Sequence, residues 1–404
     1  MIRCNSEADG TVRTKEEDKP GSGAMLWSRV FDEVKKMHQD EQYMQMALEE
    51  AVKGTGRVSP NPLVGAVIVK DGKVIAKGYH HYCGGLHAER DALSQCTEDL
   101  TGATMYVTLE PCCHTGRQPP CTEAIVGSGI SRVVVGSGDP NPLVAGKGCR
   151  ILREHGIEVT AYVLEEQCRE MNTFFFHYIT TGLPYVTMKY AMTADGKIAT
   201  AAGLSKWITG EDARKRVHQD RNRYTAIMVG VGTVLADDPE LTCRIEGGRN
   251  PVRIVCDTHL RTPLSSRLVQ TADRVRTIIC TSETDRDKQQ PYLEAGCEMM
   301  ELPEQDGHIS VPSMMQQLGA SEIDSVLLEG GGTLNWSVLQ AGFVCSVQAY
   351  IAPKLFCGKA KAPIEGTGVA APDEAFILYD KKIHTFGEDI MIEGKVKNHV
   401  YGNC

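Results

Sequence analysis

The chain has 404 residues, 42% of them hydrophobic and 24% charged, and a formal net charge of -9. That length calls for about two to three domains with cores of their own, and an acidic balance without any Lys/Arg block excludes a nucleic-acid backbone as the main partner. No stretch is apolar enough for a membrane span, and 15 cysteines spread from Cys4 to Cys404 without a repeated framework read as reduced cytosolic thiols, two of them engaged on a metal. A small anionic partner remains compatible with the charge, because a few local basic residues suffice to hold it.

Residues 1–39 mix acids and bases, include Pro20-Gly21-Ser22-Gly23, and lack the marks of a signal or transit peptide. They are expected to form a poorly ordered extension, within which Met25 or Met37 is an alternative start. From Glu41, the apolar positions Met44, Ala47, Leu48, Ala51 and Val52 fall on one helical face that ends at Gly54. Leu63 to Val69 and Lys73 to Tyr79 read as a hairpin joined by Asp71-Gly72. The pattern then predicts a helix from His87, a strand Thr104 to Leu109, a helix Thr122 to Ser128, a strand Ser131 to Gly136, a helix Gly146 to His155 and a short strand at Ile157 to Thr160. Such alternation implies an α/β/α sandwich. Glu165 to Thr181 reads as one further helix, closed by Thr181-Gly182-Leu183-Pro184.

A first domain is therefore expected over residues 40–182 and a second over 183–404, with the second able to fold and work alone. The second opens with a strand Tyr185 to Ala191 and a helix capped at Thr209-Gly210-Glu211-Asp212. Strands follow at Ala226 to Val231, Val252 to Cys256, Arg276 to Cys280 and Ser325 to Leu328, so this half is α/β as well.

The chemistry of the first half lies in His87-Ala88-Glu89, followed 23 residues after Glu89 by Cys112 and then by Cys121. One imidazole and two thiolates suit a tetrahedral Zn2+ that keeps a fourth position for water. Glu89 is placed to carry protons, and the set reads as hydrolytic deamination. Both ligand segments are expected at helix N-termini, which favour thiolates. Eight residues separate the cysteines, where nucleobase deaminases usually have two. The polar insert is expected to loop over the site, presenting His114 and Arg117 to a polar or phosphorylated substrate. A structural zinc site is the competing reading; it requires a fourth ligand, for which Cys113, Cys83 and His114 are nearest.

In the second half, Leu328-Glu329-Gly330-Gly331-Gly332-Thr333-Leu334-Asn335 follows a strand and opens a helix, an arrangement that lets backbone N–H groups approach a phosphate. It is not the G-x-G-x-x-G fingerprint, and alone it is equally a ligand-free turn. Val229 to Pro239 adds a second glycine-rich strand end with paired acids, for which a tight turn with a solvated acidic pair is the alternative.

Taken together, His87-Ala88-Glu89, Tyr106 to Cys121 and Gly138 to Gly148 resemble the deaminase half of the bacterial bifunctional riboflavin-biosynthesis deaminase/reductases, whose cysteines also stand eight residues apart. Met188 to Ala199, Ser205 to Gly210, Val229 to Pro239 and the Glu329 glycine turn resemble the reductase half, in the same order. The resemblance implies a cytidine-deaminase-like α/β/α domain followed by a dihydrofolate-reductase-like α/β domain, with Zn2+ and NADPH as cofactors. It implies deamination of 2,5-diamino-6-(5-phosphoribosylamino)pyrimidin-4-one and reduction of 5-amino-6-(5-phosphoribosylamino)uracil to its ribityl form. Asn61, His80, His114 and Arg117 would hold the first substrate. Ser205, Arg221, Leu241, Arg244 and Glu329 would hold the second. Ala191, Trp207, Thr233, Asp237, Thr258, Gly331, Gly332, Thr333, Leu334, Asn335, Trp336 and Ser337 would face NADPH, and Lys189 would lie near both ligands with its role undecided. A cytoplasmic homo-oligomer acting on small phosphorylated pyrimidines is expected. The alternatives are a nucleoside or tRNA deaminase with an accessory C-terminal domain, and a zinc-stabilised scaffold that has lost one activity.

Overall fold

A computed structural model describes the backbone of residues 22–116, 118–141 and 144–397, and side chains from Lys35 onward. In the first half, α1 (Ser22–Val52) precedes a hairpin of β1 (Gly65–Lys70) and β2 (Lys73–Tyr79). Asp71 and Gly72 between them both have positive φ, 49° and 73°, the backbone that the right-handed twist of a two-residue hairpin needs. Next come α2 (Ala88–Gln95), β3 (Thr104–Leu109), α3 (Cys121–Val126), β4 (Arg132–Ser137), α4 (Lys147–Glu154) and β5 (Glu158–Ala161). The sheet runs β2-β1-β3-β4-β5, with β3, β4 and β5 parallel.

Both faces of this sheet are buried. Ala66, Ile68, Met105, Val107, Val133 and Val135 pack with Ala88, Ile125 and Leu152 from α2, α3 and α4. The alternate residues Val67, Val69, Tyr106 and Val134 pack on Met44, Ala47 and Leu48 of α1 and on Cys168. The period-2 alternation thus feeds two cores at once, as a sandwich requires.

Helix α1 reaches back to Ser22, so part of the expected extension is helical, while residues 1–21 lie outside the described residues. Its anchor sits at the expected domain edge. Asp40, buried, takes a bidentate pair from Arg132 at 2.8 and 2.7 Å and a bond from the Tyr106 hydroxyl at 2.9 Å. The single helix expected from Glu165 is two, α5 (Glu165–Met171) and α6 (Thr173–Thr181). The break falls at Asn172, whose buried amide both accepts from Leu63 N–H and donates to Leu63 O, each at 2.8 Å. Side-chain bonding to a distant backbone competes with the helix there.

The second half contains β6 (Tyr185–Thr193), α7 (Glu211–Arg223), β7 (Ala226–Gly230), α8 (Val231–Asp237), β8 (Val252–Cys256), α9 (Arg267–Gln270), β9 (Thr277–Thr281), α10 (Arg286–Glu294) and β10 (Glu298–Glu301). A ribbon of β11 (Glu304–Gln305) and β12 (His308–Ile309) leads to α11 (Val311–Ala320), β13 (Ser325–Leu328), α12 (Gly332–Gln340), β14 (Val344–Ala352), β15 (Leu378–Phe386) and β16 (Asp389–Val396). The sheet order is β10-β9-β8-β7-β13-β6-β14-β16-β15, parallel as far as β14, with β16 and β15 antiparallel at the end. Strand β13 enters between β6 and β7, so the order of strand succession reverses there, and a crevice opens beyond the carboxyl ends of those strands.

Two local expectations change. The expected Thr209 cap of α7 is replaced by Gly210, whose N–H donates to Asp389 Oδ2 at 2.6 Å from the last strand. Val231 to Asp237 forms α8 where a tight turn was the alternative.

The halves are packed together through α6. Phe174 lies against Tyr224 and Tyr185 at centroid distances of 4.6 and 5.3 Å, and the Arg223 guanidinium stands 4.7 Å over Phe174. His177 meets Tyr185 edge-on, and the Tyr178 hydroxyl donates to Gly319 O at 2.9 Å. A fragment starting at Leu183 would leave that aromatic surface bare. Comparing thermal melts, a fragment starting at Thr173 should exceed one starting at Leu183 by on the order of 5 °C, given about 2 kcal/mol lost with the aromatic contacts.

Candidate active sites

Three segments converge on the first site. His87 is the N-cap of α2, Cys121 opens α3, and Cys112 follows β3 by three residues. His87 Nδ1 lies 3.5 Å from Cys112 Sγ and 3.4 Å from Cys121 Sγ, and all three ligand atoms are within 4.8 Å of one another. A tetrahedron with Zn–N and Zn–S bonds of about 2.0 and 2.3 Å has N–S edges of about 3.5 Å. The donor set therefore fits zinc in both chemistry and size. Among the described residues, Cys83, Cys113 and His114 do not join this cluster.

Cys121 N–H donates to Cys112 Sγ at 3.3 Å. The Cys121 thiol, His87 and that N–H together hold the Cys112 thiol far below its usual range, while Cys121, its hydrogen-bonded neighbour, is pushed up. Glu89, in the first turn of α2, is buried; desolvation and then the Cys112 charge lift its carboxyl to about 7. A group that exchanges a proton near neutrality suits general acid/base work.

The neighbouring polar groups are ordered as well. His80 is buried, stands edge-on to His87 at 5.5 Å, and has Nδ1 at 2.8 Å from Leu86 O. That contact puts the proton on Nδ1, so Nε2 accepts from the Asn61 amide at 3.1 Å. Burial lowers the His80 pKa and keeps the ring neutral. His114 is half-buried, with Nδ1 enclosed and lacking a partner among the described residues. Arg117 lies outside the described residues.

Reading the residues one by one missed Glu110. Its buried carboxylate accepts from Gly146 N–H at 2.9 Å and Cys149 N–H at 3.0 Å, tying the strand end that carries Cys112 to the start of α4. A Cβ on Gly148 would stand 2.2 Å from Pro111 O, which shows how closely α4 approaches. Asp139, within the Gly138 to Gly148 stretch, is a further such group: burial raises its carboxyl to about 6. The signal for Glu110 was its place immediately before Pro111-Cys112.

The second site is a cleft of about 1590 Å³ at the switch point of the large sheet. It is lined by Lys189, Ala191, Ser205, Trp207, Arg221, Thr233, Asp237, Leu241, Arg244, Thr258, Glu329, Gly331, Gly332, Thr333, Leu334 and Ser337. Asn335 and Trp336 are turned away. Asn335 is buried and donates to Pro363 O at 2.8 Å, and Trp336 packs edge-on against Phe376. Each residue turns α12 by about 100°, so a continuous run cannot face one ligand.

Leu328 is paired with Met188 across β13 and β6, which sets Glu329 beside Lys189. Arg221 donates to both Glu329 oxygens at 3.0 Å, and Lys189 Nζ lies 3.6 Å from Oε2. Burial alone would raise the Glu329 carboxyl; Arg221 and then Lys189 overcome it and hold the group at about 2. Nearby, the Ser205 hydroxyl donates to Asp237 Oδ1 at 2.8 Å, and Arg244 pairs with Glu240 at 2.9 Å. The N-termini of α8 and α12, capped by Gly230 and Gly331, stand at the ends of adjacent strands. Gly332 is required by packing, since a Cβ there would meet the Glu365 side chain at 2.7 Å. His218 also lines the cleft, one turn before Arg221; its i, i+3 spacing from Arg221 was the available signal.

Two family profiles match this chain. The cytidine and deoxycytidylate deaminase zinc-binding region covers residues 37–137, and the RibD C-terminal domain covers residues 184–392. The riboflavin biosynthesis protein RibD of Actinobacillus pleuropneumoniae is 53% identical over 355 residues, spanning 88% of this chain and 94% of that protein. This chain belongs to the RibD family. The RibD of Escherichia coli (strain K12) is 38% identical, over 88% of this chain and 98% of that protein. Among solved structures, a diaminohydroxyphosphoribosylaminopyrimidine deaminase/5-amino-6-(5-phosphoribosylamino)uracil reductase from Thermotoga maritima superposes with a TM-score of 0.79 at 40% identity, covering 89% of this chain and 99% of that one.

As a RibD, the chain is a bifunctional riboflavin-biosynthesis enzyme with a zinc-dependent deaminase domain and an NADPH-dependent reductase domain of dihydrofolate-reductase-like fold. A nucleoside or tRNA deaminase with an accessory domain is not favoured, because the C-terminal half matches the RibD reductase directly. Among the described residues no helix is long and apolar enough to cross a membrane.

Two measurements address these sites. Cys113→Ser should retain zinc near one ion per chain and Cys121→Ser should lose it, read by metal analysis. For Glu329, the folded-state carboxyl is depressed from the ordinary 4.5 to about 2. Its ionised form therefore stabilises the fold above pH 4.5, and that contribution is lost as pH falls from there toward 2. Glu329→Gln should melt below the parent at neutral pH, by about 3 kcal/mol for an uncompensated buried pair, with the gap narrowing in acid.

Proposed function

We propose that the first site removes the 2-amino group of 2,5-diamino-6-(5-phosphoribosylamino)pyrimidin-4-one by hydrolysis. The second site then reduces the ribosyl group of 5-amino-6-(5-phosphoribosylamino)uracil to a ribityl chain. The observation that carries this reading is the coexistence in one chain of a zinc-sized His87/Cys112/Cys121 cluster beside buried Glu89 and a separate cleft floored by Lys189, Glu329 and Arg221.

His87, Cys112 and Cys121 would hold Zn2+, which when bound lowers the pKa of a coordinated water and supplies the nucleophile. Glu89 would carry the proton at its carboxylate, from water to the departing amine, so that the balance is water in and ammonia out. Neutral His80 and Asn61 orient the pyrimidine, with His114 for its polar substituents. In the cleft, NADPH supplies hydride. The residues of the α8 and α12 N-termini offer N–H groups to its phosphates, with Thr233, Asp237 and Trp207 alongside. Two cations around one carboxylate leave the floor positive, which favours the substrate phosphate near Arg221 and Arg244. Lys189 Nζ stands 3.6 Å from Glu329 Oε2 within this floor.

The finer assignment is a homo-oligomer in the cytoplasm. Buried thiols such as Cys168, Cys280 and Cys297, free of disulfides, suit a reducing compartment. The edge strand β15, with Ile383 72% exposed, suits a second copy.

Ammonia release and NADPH oxidation, assayed separately, test the reading. Chelation of zinc should abolish the first and spare the second when the already deaminated substrate is supplied. Glu89→Gln should keep its zinc and lose about 10² to 10⁴-fold in deamination. Full ammonia release by that variant would remove Glu89 from the chemistry.

A further inference from the structure

Residues 53–64 join α1 to β1 by turns and carry Asn61. On one side this segment is tied to the deaminase rim. Cys83 N–H donates to Arg57 O at 3.1 Å, Asn61 N–H returns to Val58 O at 2.9 Å, and the Asn61 amide holds His80 at 3.1 Å. A Cβ on Gly54 would stand 2.5 Å from His80 O, so the segment lies flat against the strand end that bears that histidine.

On its other side the same segment rests on the reductase domain. Gly56 is buried with φ of +80°, and a Cβ there would be 2.5 Å from Asn222 O and 2.8 Å from Asn222 Oδ1. Arg57 Nη2 donates to Gly247 O at 3.3 Å. A crevice of only about 30 Å³ separates Gly56, Val58 and Asn61 from Arg223 and Asp324 of the reductase domain. Asn222 is itself fixed, because its Oδ1 accepts Arg249 N–H at 2.8 Å, and it adjoins Arg221, which Glu329 and Thr242 O hold.

We infer that the reductase domain positions Asn61 in the deaminase site, with Asn222 and Gly247 as the surface and Gly56 as the joint that permits the contact. The inference rests on the reading of Asn61 as a contact to the deaminase substrate. A connection built of turns does not hold one side chain to a fraction of an ångström by itself. Clamped between His80 and α7, it does, and the ordering is completed on folding instead of on binding. The dependence runs one way. Arg221 has partners within its own domain, whereas the segment bearing Asn61 is held from both: Asn172 of the first domain bonds Leu63, and Asn222 and Gly247 of the other meet Gly56 and Arg57. Gly56, Arg57 and Asn222 are thus positioning residues for deamination and touch neither substrate.

The test uses the full-length, zinc-loaded enzyme. Gly56→Ala puts a Cβ on a left-handed backbone and against the Asn222 carbonyl, so the segment must shift. Displacement of a positioned group by about 1 Å costs up to on the order of 10²-fold. We expect deaminase KM to rise at least about 10-fold with kcat and zinc content near those of the parent, and reductase kcat and KM unchanged on the deaminated substrate. Arg57→Ala, an exposed position that leaves folding intact, should raise deaminase KM in the same direction by a few-fold, and Arg57→Lys should recover part of it. A folded Gly56→Ala enzyme with parental deaminase KM overturns the inference, as does equal damage to both activities. If Gly56→Ala does not fold, an unchanged deaminase KM in Arg57→Ala overturns it. Asn61→Ala separates the two levels: unimpaired deamination there retires Asn61 as a substrate contact, while a strong defect without any effect at Gly56 and Arg57 retires only the interdomain support.

Discussion

Glu329 is a buried carboxylate held between two cations, and the reductase cleft is arranged around that constraint. Strand β13 must enter between β6 and β7 for Glu329 to stand beside Lys189, and α7 must cover the switch point for Arg221 to reach both oxygens. Removing three charges from water costs several kcal/mol per ion, and pairing returns roughly that amount, so the trio is poorly explained as a device for stability. It is better explained by what it leaves behind. One carboxylate against two cations yields a positive floor, and the glycine-capped starts of α8 and α12 add N–H groups on the same side. Both ligands of a RibD reductase carry phosphate, and this concentration of positive potential at the strand ends meets that need.

The deaminase site reaches a comparable end by other means. Its anions are the thiolates, and the groups that favour them are the starts of α2 and α3 together with the Cys121 N–H. A second buried carboxylate, Glu110, caps α4 and so fixes the strand end from which Cys112 projects. Glu89, by contrast, has burial unrelieved by a cation as close as those around Glu329, and its carboxyl rises to about 7 while that of Glu329 falls to about 2. Two buried glutamates in one chain are thus driven apart by their neighbours. One becomes a proton carrier and the other a permanent charge.

Between the sites, the junction is a packed interface. Helix α6 covers Tyr185 and Tyr224, and the turns bearing Asn61 lie on Asn222. The Gly182-Leu183-Pro184 signal marks where a helix stops, which is a local property. Where one core ends is set by which side chains touch, and Phe174, eight residues before that signal, touches Tyr185 and Tyr224 of the second half.

Much of this fold was legible because short-range rules decide it. The limits of β3 and the Asp71-Gly72 hairpin follow from residue pattern and turn chemistry alone. So did the choice of His87, Cys112 and Cys121, whose residue types have few other uses at that spacing and which the fold brings within one zinc-sized cluster. What tertiary structure decided was each feature that depends on a partner far along the chain. Asn172 breaks a helix because Leu63 is there to bond, and Gly210 opens α7 because Asp389 accepts its N–H. Asn335 and Trp336 leave the cleft because residues 363 and 376 receive them. Glu110 acts on α4, whose N-cap Gly146 lies 36 residues later. Local pattern carries propensity and chemistry, but a buried polar group takes whichever partner the folded chain presents, and a linear reading does not contain that choice.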